Sequence, residues 1–145
     1  MKTRFLLLLV SALLIVSAGC LRARPGEVAT PSGNIEASAG KKLTAQDMRE
    51  AIIKGCAITG WRTSDIDAGT LEAKLDTGGK HVVVVSIAYT ATSWAINYKS
   101  SENMNYDAKN ADMENKATIN RNYNHWVHGL NENIRIQVSH KQAGR

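Results

Sequence analysis

Leu71-Glu72-Ala73-Lys74-Leu75-Asp76-Thr77-Gly78-Gly79-Lys80-His81-Val82-Val83-Val84-Val85 holds two strands and the turn that joins them. Leu71, Ala73 and Leu75 alternate with Glu72, Lys74 and Asp76, the period of two expected when one face of a strand is buried and the other wet. Thr77-Gly78-Gly79-Lys80 supplies the residues that tolerate positive φ in a hairpin. His81 to Thr90 is predicted as the next and most buried strand, because Val82 to Val85 are continuously apolar. After a tight turn at Ala91-Thr92, Trp94, Ile96 and Tyr98 alternate with Ala95, Asn97 and Lys99. Upstream, Trp61 to Ile66 reads as a short strand ending at the turn Asp67-Ala68-Gly69. The expectation is an antiparallel meander of three or four strands.

Helices flank this meander. Thr44 followed three residues later by Asp47 is a short form of the capping box, and Leu43 with Met48 has the spacing of a hydrophobic staple. Met48, Ala51, Ile52 and Cys56 then recur on one face, predicting a helix from about Ala45 to Ala57. Ser100 to about Ala117 is polar and Asn-rich and is expected to be a loop. Ile119, Tyr123, Trp126, Val127, Leu130, Ile134 and Val138 follow at helical spacing, with Trp126 expected at the centre of the packed face. The fold class is therefore α+β, a two-layer α-β(3–4)-α unit whose antiparallel meander sheet is packed by two helices.

The amino-terminal third has another character. Lys2 and Arg4 precede a twelve-residue apolar run from Phe5 to Val16, and small residues lead to a cysteine in Ser17-Ala18-Gly19-Cys20. These are the three parts of a secretory signal. A cysteine directly after the cut serves no purpose in plain secretion but is the acceptor of a diacylglyceryl group in lipoproteins, and the segment resembles the lipobox of bacterial lipoproteins. On that resemblance residues 1–19 are expected to be the signal peptide and Cys20 the lipidation site, in preference to a transmembrane anchor over Phe5 to Leu21 or plain secretion with a cut after Ala18 or Gly19. Residues 20–42, rich in Gly, Ala, Ser and Pro and without hydrophobic periodicity, are expected to form a flexible linker; about 20 such residues would give a stand-off of about 25 Å from the lipid. Residues 43–140 are expected to form one domain, since about 100 residues support one core and not two.

The chain carries 18 basic and 13 acidic residues, a formal charge of +5. Without Lys2 and Arg4 the excess falls to +3, spread along the chain rather than gathered into the basic stripe of a nucleic-acid binder, so no nucleic-acid partner is expected. The order α-β-β-β-α also occurs in double-stranded RNA-binding domains, but these need basic helix ends and a cytosolic location. With Cys20 lipidated, Cys56 has no disulfide partner, and its place in an apolar helical pattern predicts a buried packing thiol.

Gly60-Trp61, Gly69-Thr70-Leu71-Glu72-Ala73-Lys74-Leu75, His81-Val82, Ile87-Ala88-Tyr89, Ile96-Asn97-Tyr98, Ser101-Glu102-Asn103-Met104-Asn105-Tyr106 and Ile119-Asn120-Arg121-Asn122-Tyr123-Asn124-His125-Trp126-Val127 together resemble a family of small uncharacterised lipoproteins of Gram-negative bacteria. The resemblance spans about residues 44–136, and its most specific parts are Asn122-Tyr123-Asn124-X-Trp126 and Ser101-X-Asn103-Met104-X-Tyr106. The chain departs from that family in a longer segment at Ala108 to Thr118. The resemblance implies a lipoprotein facing the periplasm, and Leu21 rather than Asp after the cysteine implies the outer membrane in bacteria that sort by that position. It implies no reaction.

Three groups of residues are candidates for chemistry. His125 and His128, three apart on the second helix with Glu132 one turn further, offer nitrogen and oxygen ligands to a zinc-like ion, but the spacing matches no established zinc motif and no metal or other cofactor is expected. His81 is a candidate general base beside Asp76 or Asp67. Asn97, Ser101, Asn103, Asn105, Tyr106, Asn122 and Asn124 form a polar set suited either to glycan or peptide recognition or to a hydrogen-bond network clasping the Ser100–Ala117 loop onto the second helix, and the network is preferred. The functional expectation is a membrane-anchored, non-enzymatic binding or envelope-structural module. Its partners would be the membrane, through acyl chains on Cys20, and an envelope protein or cell-wall component. The alternative is a periplasmic enzyme or metal binder using His81 or His125/His128.

Overall fold

Thr44 starts the first helix in the way its spacing to Asp47 predicts. The Thr44 hydroxyl accepts the Asp47 N–H at 3.1 Å while the Thr44 N–H donates to Asp47 Oδ2 at 3.0 Å, so two backbone donors of the first turn are satisfied reciprocally. The Thr44 N–H first, and then the Thr44 hydroxyl, which donates to the same Asp47 Oδ2 at 2.9 Å, hold the Asp47 carboxyl below the usual carboxylate range. The computed structural model describes residues 24–35 and 40–144. The expected signal peptide and Cys20 lie outside the described residues.

In chain order the elements are β1 (Gly26–Glu27), β2 (Ser32–Asn34), α1 (Ala45–Ile58), β3 (Arg62–Asp67), β4 (Thr70–Asp76), β5 (Val82–Tyr89), β6 (Ser93–Glu102), β7 (Asp107–Asn110), β8 (Lys116–Ile119) and α2 (Arg121–Gln142). The class is α+β, with the meander β3-β4-β5-β6 between two helices. All strand pairings are antiparallel. The meander and β2 form a five-stranded sheet in the order β2-β6-β5-β4-β3, and a second, three-stranded sheet has the order β1-β8-β7.

Alternation along the strands separates the two faces of the larger sheet. Leu71, Ala73, Val83, Val85, Ile87, Trp94 and Ile96 are buried on the inner face. Glu72, Ser86 and Asn97 lie in register on the outer face, where Glu72 also meets Lys99 at 2.5 Å. Val82 to Val85 are therefore not uniformly buried: Val83 and Val85 point inward, whereas Val82 and Val84 are half-buried on the other side. Both helices cover the inner face. They run antiparallel, with Lys141 near the end of α2 bonded to Glu50 in α1.

Where the helices cross, Gly55 brings the backbones together: a Cβ there would lie 2.9 Å from the Ile134 backbone nitrogen. Gly55→Ala removes the helix penalty of glycine, about 0.5–1 kcal/mol, but the overpacking costs about 1–3 kcal/mol. A net loss of about 1–2 kcal/mol in urea unfolding is expected. Gly129, exposed on α2 with open space where its Cβ would stand, is the control; Gly129→Ala should stabilise by about 0.5–1 kcal/mol.

Four expectations need correction. Residues 24–35, read as linker, enter the fold: β1 pairs with β8 and β2 with β6, while Tyr123 Oη donates to Ala29 O at 3.1 Å. The Ser100–Ala117 segment is not a loop throughout, because β6 continues to Glu102 and β7 and β8 form a hairpin joined through a 3₁₀ turn at Ala111–Met113. Ile119, read as the first apolar position of the second helix, ends β8 instead, and Asn120 caps α2 by accepting the Asn122 N–H at 3.0 Å. Trp126 is only partly buried; fully buried Tyr123, Val127, Leu130 and Ile134 fill the packed face of α2, and Trp94 fills the sheet side.

Candidate functional site

Five of the seven polar residues singled out in the sequence fall in two places, both near the amino-terminal end of α2. The first surrounds the β4–β5 turn. Asn103 takes a left-handed conformation, φ 57°, and Asn105 does the same at 49°, a region that asparagine enters more readily than other non-glycine residues. This lets the chain leave β6 sharply and sends the Asn103 side-chain N–H to Lys80 O at 3.0 Å. His81 Nδ1 lies 2.9 Å from Asn103 O, and because a carbonyl only accepts, Nδ1 carries the proton. Tyr106 stacks on Tyr98 with ring centroids 4.3 Å apart, and Ser101 Oγ lies 3.0 Å from Tyr98 Oη. Tyr98 in turn meets the edge of Tyr123 at 5.7 Å, and burial raises the Tyr123 phenol well above its ordinary pKa.

The second place is the seam between α2 and the segment before β2. Asn124 Nδ2 donates to Glu27 O at 2.7 Å, and Asn124 Oδ1 accepts the Ala29 N–H at 3.0 Å. One side-chain amide thus supplies a donor and an acceptor to an extended backbone, as a neighbouring strand would. These two bonds clasp the amino-terminal segment onto α2, whereas the expected network was to clasp the Ser100–Ala117 loop. The loop is tied instead by Asn120 N–H to Met104 O at 2.8 Å. Asn97, exposed on the outer sheet face, and Asn122, exposed in the first turn of α2, belong to neither group.

The catalytic and metal candidates are not brought into working arrangements. His81 spends Nδ1 on a backbone carbonyl, and Asp76, its expected partner, accepts the Gly79 N–H at 2.7 Å. Asp67 stands at the opposite end of the hairpin, paired with Thr70. His125, His128 and Glu132 are exposed along α2, and Glu132 is held by Arg135 at 2.8 Å. Among the described residues, no three His, Cys, Asp or Glu side chains are grouped so as to hold a metal ion.

The described residues form several surface recesses, one of about 330 Å³ beside Glu132 and His140. A second, of about 190 Å³, lies between Thr59, Trp61, Leu75, His125, Trp126 and Gly129, with the His81 ring 6.2 Å from that of Trp126. It is smaller than the roughly 300 Å³ at which small-molecule pockets begin. Another, about 350 Å³ and open, lies over Gly69, Tyr89, Thr90 and Ser93 and is lined by no His, Cys, Asp or Glu. Among the described residues, every buried side-chain nitrogen or oxygen has a hydrogen-bond partner, so no orphaned polar atom points into a cavity. Burial alone pushes the Cys56 thiol up to about 12, which leaves it protonated and inert at neutral pH.

Models of protein families, curated proteins and solved structures contain no match to this chain.

Sequence reasoning missed Asn120, Asn131 and Thr118. Asn120 carried a usable signal, an N-cap residue just ahead of an amphipathic run. Asn131, which accepts the Trp94 indole N–H at 2.8 Å, and Thr118, bonded to Asn110 at 3.1 Å, owe their roles to partners far away in space or across a hairpin that local pattern did not announce.

Proposed function

We propose that the chain is a membrane-anchored bacterial lipoprotein, held through acyl chains on Cys20 on the periplasmic side of the outer membrane, whose folded part is a non-enzymatic binding or envelope-structural module. The observation that carries this is the order Lys2/Arg4, Phe5 to Val16, Ser17-Ala18-Gly19-Cys20. Each buried methylene contributes about 0.8 kcal/mol, and a second and third chain turn marginal binding into stable anchoring.

Support for the non-enzymatic part comes from what the polar residues are occupied with. Ser101, Asn103 and Asn124 are bonded within the domain, and His81 is bonded to backbone. What remains for a partner is surface: the outer face of the five-stranded sheet and its edge strand β3, whose Arg62, Asp65 and Asp67 are exposed. An envelope protein or cell-wall component meeting that face is the proposed partner. Among the described residues no helix is long and apolar enough to cross a membrane; the proposed attachment is the lipid on Cys20.

Cys20→Ala is the test. Loss of acyl labelling and release of the chain from the membrane fraction are expected; undiminished membrane retention would count against the proposal.

A further inference from the structure

The lipid anchor and the fold are joined by far less chain than the composition of residues 20–42 suggests. Gly26 already sits in β1, in register with Ile119, and its backbone packs on the first turn of α2: a Cβ there would lie 3.0 Å from Asn124 Nδ2 and 3.4 Å from Arg121 Cγ. Only residues 21–25 separate Cys20 from Gly26. Six Cα steps reach at most about 21 Å, and crossing the headgroup layer uses about 5–8 Å of that. The 22 residues of α2, by contrast, extend about 33 Å from that point.

Resting on the anchoring proposed above, we propose that the amino-terminal end of α2 and the adjoining Asn105–Tyr106 corner are held against the phospholipid headgroups of the leaflet that contains the acyl chains, with the rest of α2 leading away from it. The chemistry at this end suits a lipid surface. Tyr106 is 42% exposed although stacked on Tyr98, and its neighbour Asp107 pairs with Thr118, which places the ring at the Gly26 end of the small sheet. Amphipathic aromatic rings of this kind favour the headgroup level. Arg24 and Arg121 are exposed cations, the first turn of α2 has no acidic residue, and nearby Glu27 is already paired with Lys116 at 3.2 Å. A tether of this length leaves a gap of at most about 13–16 Å between Gly26 and the headgroup surface, too narrow for a folded domain. The outer sheet face is left clear for a partner.

Site-selective quenching on the full lipidated chain tests the orientation. The chain is reconstituted into vesicles of phosphatidylcholine and phosphatidylglycerol doped with a lipid bearing a nitroxide on its headgroup. A fluorescent maleimide is placed at Asn122→Cys or at Ser139→Cys, two exposed positions near opposite ends of α2; buried Cys56 stays unlabelled. The label at position 122 is expected to lose most of its fluorescence and the label at 139 to keep it. Equal quenching at both, or stronger quenching at 139, overturns the proposal. Flotation and intact mass of the same samples report on the anchor itself: a chain that carries no lipid and does not float removes the anchoring, and this orientation with it, whereas a lipidated, floating chain with the wrong quenching pattern removes the orientation alone.

Discussion

Trp94→Ala is expected to destabilise the domain by about 3–5 kcal/mol, and Trp126→Ala by only about 1–2 kcal/mol. Both tryptophans look alike in sequence, each set in an apolar periodic run, but their surroundings differ. Trp94 is 3% exposed on the inner face of β6, between Gly33 in β2 and Tyr89 in β5. Its six-membered ring lies over Gly33 so closely that a Cβ there would come within 2.1 Å of Cζ2, and its indole N–H donates to Asn131 Oδ1 on α2 at 2.8 Å. Truncation therefore opens a cavity between sheet and helix and strips a donor from the Asn131 carbonyl in one step. Trp126 lies at the rim, partly wet, with the His81 ring as a neighbour. Urea unfolding followed by circular dichroism measures both variants; unchanged m-values with a much larger drop in midpoint for Trp94→Ala is the expected pattern. Equal drops would place Trp126 back in the core.

The two tryptophans also mark what could be read in advance. A strand advertises itself when it is long enough to alternate, and β4, β5 and β6, of 7, 8 and 10 residues, were legible with their turns. So was α1, whose capping box and apolar face agree. β1, β2 and β8 have 2, 3 and 4 residues, too few for any period to emerge, and they exist because partners distant in sequence satisfy their backbone. Ile119 was assigned to a helix because its spacing to Tyr123 is four residues; the cap at Asn120 shows the boundary that spacing alone conceals. Trp126 shares the helical spacing of the apolar set, yet the helix turns Tyr123, Val127 and Leu130 inward and leaves it one step round.

The polar candidates were legible as residues but not as a site. Asparagine is enriched both where ligands are recognised and where backbones need left-handed turns, caps or surrogate strand partners. Asn103, Asn120 and Asn124 do these second jobs at 3.0, 3.0 and 2.7 Å. Separating the two uses takes the partner's identity, which is a tertiary fact. His125, His128 and Glu132 failed for a related reason: helical spacing puts side chains near one another along a face but supplies no second element to close a coordination shell.

Removing residues 24–35 is expected to unfold the domain, although their composition is that of a linker. A chain beginning at Gly40 loses β1 and β2 and, beyond those ladders, the bonds Ile96 N–H to Pro31 O, Val28 N–H to Ala117 O and Ile35 N–H to Thr92 O, at 2.8–2.9 Å. It also loses both bonds of Asn124 and the Tyr123 hydroxyl bond to Ala29. At about 0.5–1.5 kcal/mol each, these side-chain and turn bonds alone amount to about 3–9 kcal/mol, comparable with the whole stability of a small domain, about 5–15 kcal/mol. Apolar packing is lost with them: Val28, Ala29 and Ile35 rest on the core, and Gly33 covers the Trp94 ring. Circular dichroism and amide exchange on a chain starting at Gly40, beside one starting at Arg24, measure the difference. Exchange protection retained in β6 and at the start of α2 without the segment would mean that it merely lies along a finished domain; its loss would mean that the segment completes the core and that the membrane tether ends where β1 begins.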